Sequence, residues 1–366
     1  MTDRRTLAHQ RYRLTTGSAV APCKAAVASM VVMIALLAPN AVCAQNSEQR
    51  SVEQFYAGKV VSLYIGFSPG GGYDLYGRLV ARHLGQHIAG HPTVVPVNME
   101  GAGSLKLMNW LYRAAPKDGS AIGTVNRGVP FTPLLGERQF ALFDARKFTW
   151  IGSVNDEVSV CVSWQRTGIV TFEQLRHEEL IVGSTGPGAD EFVFPRLLTG
   201  VLGARIRSVS GYAGGNDINF AMERGEVDGR CGWTWSSVVS TRPQWLETKS
   251  INVLLQLALR KHPDLPDVPL IMDFARNEEE HRILRLIMIR SAFGRPFLAP
   301  PDIPDDRAAT LRRAFDAMVT DADFLADARQ LRAEIMPVSA AMLQELLTEA
   351  YSTPPHLVER ARALLD

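Results

Sequence analysis

The segment Ile65-Gly66-Phe67-Ser68-Pro69-Gly70-Gly71-Gly72-Tyr73-Asp74 holds the densest chemistry of the chain. An apolar run enters a cluster of glycines and leaves into an amphipathic stretch, the pattern of a strand that turns directly into a helix. Backbone N–H groups exposed at such a turn, with the helix dipole behind them, attract negative charge, and glycines let a ligand approach the chain closely. The plain alternative is an ordinary strand-to-helix turn. A second turn of the same kind is Val182-Gly183-Ser184-Thr185-Gly186-Pro187-Gly188-Ala189. Candidate contacts to an anion are therefore Phe67, Ser68, Gly70, Gly71, Gly72 and Tyr73 from the first turn, and Ser184, Thr185, Gly186, Gly188 and Ala189 from the second. Asn126 and Arg127 follow another apolar run, where an arginine either grips a carboxylate bidentately or stands solvated at the surface.

Acidic and aromatic neighbours qualify the picture. Asp74, Asp190 and Glu191 directly follow the two turns. A carboxylate there either caps the first helical turn or faces the ligand, in which case it repels a polyanion and favours a substrate with an amine or a single carboxylate. Trp233, in Arg230-Cys231-Gly232-Trp233-Thr234-Trp235, either closes over an apolar ligand or fills the core.

Three enzymatic patterns are approached, and none is completed. Gly66-Phe67-Ser68-Pro69-Gly70 fits the G-x-S-x-G pattern of a serine hydrolase elbow, but the residue after the nucleophile must donate its backbone N–H, and Pro69 has none. His83, His87 and His91 recur every four residues, yet Gly90 and Pro92 end the helix before His91 and no H-E-x-x-H is present, so no metal is expected. The glycine run also lacks the G-x-x-x-x-G-K-[ST] spacing of a phosphate loop, and no nucleotide cofactor is expected.

The elements that must position these residues alternate between short apolar strands and amphipathic helices, an α/β pattern that implies mainly parallel sheets flanked by helices. Strands are read at 60–66, 93–97, 121–125 and 150–154, with helices at 73–89 and 103–114, and a second series at 158–164, 180–184, 206–209, 227–231 and 251–258. The tail reads as helices at 305–319, 321–332, 340–350 and 356–365, and Pro296 to Pro304 as an ordered loop. Ligands of open α/β sheets bind beyond the carboxyl ends of strands, so two lobes facing each other would share one crevice.

At this point the chain resembles the periplasmic receptors of tripartite tricarboxylate transporters, the Bug-type binding proteins, over roughly residues 58–350. The resemblance rests on Ser68-Pro69-Gly70-Gly71-Gly72 with Asp74 and Arg78, on Pro96-Val97-Asn98 followed by Gly101-Ala102-Gly103, and on Ala114-Ala115-Pro116-Lys117-Asp118-Gly119. It continues through Gly183-Ser184-Thr185-Gly186-Pro187-Gly188, then Gly211-Tyr212-Ala213-Gly214-Gly215 and Gly225-Glu226-Val227-Asp228, which adds Tyr212 and Gly214 to the candidate contacts. It implies a two-lobed periplasmic-binding-protein-like fold that encloses a small carboxylate, performs no chemical step and delivers its ligand to membrane permease subunits, without metal or cofactor. It also implies a discontinuous first lobe, 45–158 plus 259–366, around a second lobe at 159–258. A periplasmic sensor presenting the same ligand to a signalling partner has the same pocket physics and stays open. Asp190, Glu191 and the aromatic run around Trp233 depart from the family pattern and leave the ligand class open.

Composition agrees with an exported, monomeric binding protein. Arg4, Arg5, Arg11, Arg13 and Lys24 precede the apolar run Ala25 to Ala38 and the small residues Val42-Cys43-Ala44, the layout of a signal peptide cut after Ala44. The run is shorter than the roughly 20 residues that span a bilayer. Cleavage removes five of 39 basic and one of 38 acidic residues, leaving 34 against 37, a balance that gives no reason to expect nucleic acid. Cys23 and Cys43 leave with the signal. Cys161 and Cys231 remain, and an oxidising compartment permits a disulfide between them, with two separately buried thiols as the alternative.

Overall fold

The computed structural model describes residues 50–136 and 138–365, so the signal segment assigned to 1–44 lies outside the described residues. Alternation builds the first sheet. In β1 (Val60–Ile65), Val61, Leu63 and Ile65 are fully buried while the residues between them are not, the period of two that a strand requires. β1 pairs in parallel with β2 (Thr93–Asn98) and β3 (Ala121–Thr124). The chain then runs through β4 (Thr149–Ser153) into a second sheet made of β5 (Ser159–Trp164), β6 (Leu180–Ser184), β7 (Ile206–Ser210), β8 (Gly229–Thr234) and β9 (Ile251–Leu257), in the order β7-β6-β8-β5-β9. It returns to the first sheet with β10 (Pro296–Ala299) and β11 (Val338–Ser339), giving the order β11-β4-β10-β3-β1-β2.

Both sheets are mixed rather than mainly parallel. β10 runs antiparallel to β3 and β4, β11 antiparallel to β4, and β5 antiparallel to β8 and β9. β5 and β10 enter their sheets from the other lobe, so no crossover within one sheet sets their direction, and β11, which follows β10 through two helices, keeps the direction of β10. A second correction concerns Pro296 to Pro304, whose first four residues form β10 in the middle of the first sheet instead of a loop. Pro296 stands at the first position of the strand, where proline is tolerated, and Phe297, Leu298 and Ala299 are buried.

The main helices are α1 (Gly72–His87), α2 (Leu105–Arg113), α3 (Asp190–Leu202), α4 (Gly215–Arg224), α5 (Trp235–Thr241), α6 (Glu278–Phe293), α7 (Asp305–Met318), α8 (Ala322–Gln330), α9 (Ala340–Tyr351) and α10 (Pro355–Ala363). One face of the first sheet packs on α1 and α7 through Leu79, Val80, Leu311 and Phe315. A larger core joins α2, α6, α9 and α10 to α3 of the second lobe, through residues such as Met108, Ile287, Leu347, Val358 and Leu197. α6 was not assigned from sequence. Its N-cap is Asn277, whose side chain accepts from the Glu280 N–H, with Glu278, Glu279 and Glu280 in the positive first turn. Cys161 on β5 faces Cys231 on β8 in register, and the two are disulfide-bonded across 70 residues of sequence. Among the described residues no helix is long and apolar enough to cross a membrane.

Candidate binding cleft

β1 and β6 each end in one of the two glycine turns, and the turns meet segments of the opposite sheet. The Ser68 N–H donates to the Ala213 carbonyl (3.3 Å), the Ser68 hydroxyl donates to Asp217 Oδ2 (2.6 Å), and the Gly188 N–H donates to the Ala102 carbonyl (3.3 Å). This closeness requires glycine. A Cβ on Gly72 would stand 1.9 Å from Ser237 Oγ of α5, and one on Gly214 2.3 Å from Ser68 Oγ.

Asp74 is a structural residue of the first turn. Its carboxylate accepts the Gly70 N–H, Arg78 Nε and Asn98 Nδ2, each at 2.9 Å, and Asn98 also donates to the Phe67 carbonyl at 2.7 Å. The bond from Asp74 raises the Arg78 pKa above its ordinary value. Phe67 stacks on Tyr73 with ring centroids 4.8 Å apart, and the Tyr73 hydroxyl accepts the Arg127 N–H at 3.1 Å. Burial pushes the Tyr73 phenol well above its usual range, so it stays protonated.

Between the turns lies a chain of buried ions. Arg127, wholly buried, donates to Asp190 of α3 at 2.7 Å and to the Ser159 hydroxyl, while Arg290 of α6 approaches the other Asp190 oxygen at 3.4 Å. Burial works to discharge both arginines. For Arg127 burial is the largest single effect, but Asp190, Tyr73 and Glu157 together outweigh it and the pKa rises, whereas for Arg290 burial prevails and the pKa falls. Arg230 of β8 pairs with Glu191. Arg295, just before β10, pairs with Glu157 at 2.9 Å and donates across to Thr234 (2.7 Å), Ser236 (3.0 Å) and Ser237 (2.6 Å). Of these residues Asp190, Glu191, Arg230, Thr234 and Ser237 line a small cavity of about 20 Å³. Arg127 Nη1, Arg230 Nε, Arg295 Nη1 and Thr185 Oγ1 are buried and make no hydrogen bond within the protein.

Of the residues singled out in the sequence, Phe67, Gly71, Gly72, Tyr73, Asn126 and Asp190 line this cavity. Ser68, Gly70, Asp74 and Gly214 shape the turn and the contact beside it, and Arg127 stands buried behind Asp190. Ser184 accepts the Gly186 N–H within its own turn; Thr185, Gly188 and Ala189 are in the same segment, Ala189 fully buried. Tyr212 is half-buried against the second lobe's core. Trp233 fills that core, 5.8 Å from the Trp245 ring, and is not brought to the cavity. His83 and His87 turn to separate aspartates, Asp327 and Asp321. Among the described residues no group of three or more His, Cys, Asp or Glu is placed to hold a metal.

Sequence reasoning left Gly215, Arg230, Gly232, Thr234 and Ser237 out of the cavity lining, and Glu157, Arg290 and Arg295 out of its ion network. One signal was available for the last two: arginines at 290 and 295 interrupt a largely apolar stretch from Leu286 to Ala299, and a charge embedded in such a run needs a buried partner.

No protein-family model matches the sequence, and no curated protein sequence matches it either. Solved structures do. A structure described as periplasmic binding protein BugD superposes with a TM-score of 0.67 at 20% identity, covering 84% of this chain and 98% of that one. It has the periplasmic-binding-protein fold. Rpa4515 of R. palustris, solved with adipate, gives a TM-score of 0.65 at 18% identity, covering 83% and 97% of the two chains. MatC of Rhodopseudomonas palustris, solved with bound malate, gives 0.65 at 18%, covering 84% and 99%. The two glycine turns stand at the carboxyl ends of β1 and β6, and each touches a segment of the opposite lobe.

Proposed function

We propose that the protein is an exported solute-binding protein that captures a small carboxylate between its two lobes, 45–158 plus 259–366 and 159–258, and presents it to membrane permease subunits of a tripartite tricarboxylate-type transporter. The observation that carries the reading is the set of buried guanidinium N–H groups left without acceptors, on Arg230 in the cavity wall and on Arg127 and Arg295 in the ion network behind it. Buried donors of this kind are costly unless something accepts from them, and a carboxylate does so best. The fold shared with structures that hold adipate and malate supports the same reading. Residues 1–44 act as the signal that takes the chain to the periplasm.

Charge narrows the ligand. Among the described residues of the network, Arg127, Arg230, Arg290 and Arg295 face Glu157, Asp190 and Glu191, all of them buried, which leaves one positive charge in excess. A single carboxylate balances that excess, while a tricarboxylate overshoots it. A space of about 20 Å³ admits roughly one water. The ligand therefore enters an opened form, and contact with both lobes favours reclosure.

Titration calorimetry of the mature protein against mono-, di- and tricarboxylates tests the proposal. Monocarboxylates bind and citrate binds more weakly. Citrate as the tightest ligand removes the charge argument, and silence across the panel with turnover of an ester removes the binding function. A sensory role would use the same pocket, and pull-down of a periplasmic sensor domain in place of permease subunits would favour it.

A further inference from the structure

The wall of the cleft cavity carries more negative charge than positive. Two carboxylates line it, Asp190 and Glu191, against one guanidinium, Arg230. Arg230 answers Glu191 from within the same lobe. Asp190 is answered across the cleft: Arg127 donates to its Oδ2 at 2.7 Å, and Arg290 lies 3.4 Å from its Oδ1. Neither of these arginines lines the cavity, so the Asp190 carboxylate stands between the cavity and both guanidinium groups. The acids of the neighbouring turns do not share this position. Asp74 is held by Arg78 and Asn98, Asp217 by the Ser68 hydroxyl, and neither lines the cavity.

Backbone fixes Asp190 where it is. It opens α3 directly after the second glycine turn, and a Cβ on Gly232 would stand 2.7 Å from its carbonyl carbon, one on Gly128 3.0 Å from its Oδ1. A ligand carboxylate that accepts from Arg230 Nε, a buried donor with no partner in the protein, enters on the side of the second lobe. A second carboxylate on the same ligand, reaching toward the first lobe, meets Asp190 before it meets Arg127 or Arg290. Like charges repel strongly in a buried site, where little water screens them. Asp190 thus holds, by its own attachment to the chain, the place on two arginines that a second ligand carboxylate would take.

We propose that Asp190 is a specificity-determining residue that restricts the cleft to ligands with a single carboxylate; the assignment rests on the cleft binding carboxylates at all. Succinate and monomethyl succinate, nearly one shape and one charge apart, test it by calorimetry on the mature protein at about pH 8, where succinate carries both charges. The wild type binds the monoester at least about tenfold more tightly than succinate. Asp190→Asn keeps the shape and an acceptor for Arg127 while removing the charge, and it raises succinate at least about tenfold relative to the monoester. Asp190→Glu keeps the charge and with it the wild-type order. A wild type that takes succinate as tightly as the monoester overturns the assignment, whether or not the variants fold. So does an Asp190→Asn variant with the wild-type ratio. Both results leave carboxylate capture standing, whereas silence toward both ligands overturns capture and the role of Asp190 with it.

Discussion

Replacing Asp190 with alanine removes the carboxylate that two buried arginines share. Asp190 is 1% exposed, Arg127 0% and Arg290 2%, so neither guanidinium gains water when its partner goes. Neither discharges readily, since arginine keeps its proton across the working pH range. Stripping one member from a buried ion pair costs about 3–5 kcal/mol, mostly as the penalty of the charge left behind. For a folded part of this length the unfolding entropy is about 0.7 kcal/mol per degree, which makes the drop in melting temperature about 4–7 °C. Calorimetric melting of the wild type and Asp190→Ala at neutral pH measures it. Adding Arg127→Met to Asp190→Ala should recover part of the loss, because it removes one of the two stranded charges. A small monocarboxylate in the buffer should raise the melting temperature of Asp190→Ala more than that of the wild type, by supplying the missing anion. A single variant that melts within a degree of the wild type, or a double variant no better than the single, would refute the reasoning.

Gly72→Ala puts a methyl group where Ser237 Oγ now stands, so the lobes should separate, the radius of gyration by X-ray scattering should rise and carboxylate affinity should fall; an unchanged scattering curve counts against a glycine-dependent closure. Cys161→Ala with Cys231→Ala opens a 70-residue loop and should cost about 4 kcal/mol on the chain-entropy estimate, read as a lower melting temperature under oxidising conditions and no difference from wild type under reduction. His262 has its pKa raised, first by its bond to Glu334 and further by the charges of Asp264 and Glu157, against an opposing effect of burial. A raised folded pKa stabilises fully below the unfolded value and loses that contribution as pH climbs through the folded one, so His262→Gln should lower the melting temperature more at about pH 5 than at about pH 9. Equal losses at both would remove the ion-pair account.

The local chain determined much of this molecule. Apolar runs at Val60–Ile65 and Leu180–Ser184 made strands, and glycines after them made turns that only a residue without Cβ allows, so both glycine turns were visible in one dimension. The acidic first turn of α1 was also legible, because Asp74 bonds within a few residues of itself to Gly70 and Arg78. What stayed hidden depends on pairs far apart in sequence. Arg127 meets Asp190, Arg290 meets that same carboxylate, and Arg295 meets Glu157 and the hydroxyls at 234, 236 and 237, none of which has a fixed spacing that local propensity would record. The direction of β10 and the fate of Trp233 are of the same kind. A strand's partners, and the side of a sheet on which an indole is buried, follow from which surfaces remain uncovered once the two lobes have formed. Sequence therefore located the two glycine turns. Tertiary packing decided the charge that surrounds them, because Coulomb energy depends on distance through a buried interior, and that distance exists only after the chain has crossed between its sheets twice.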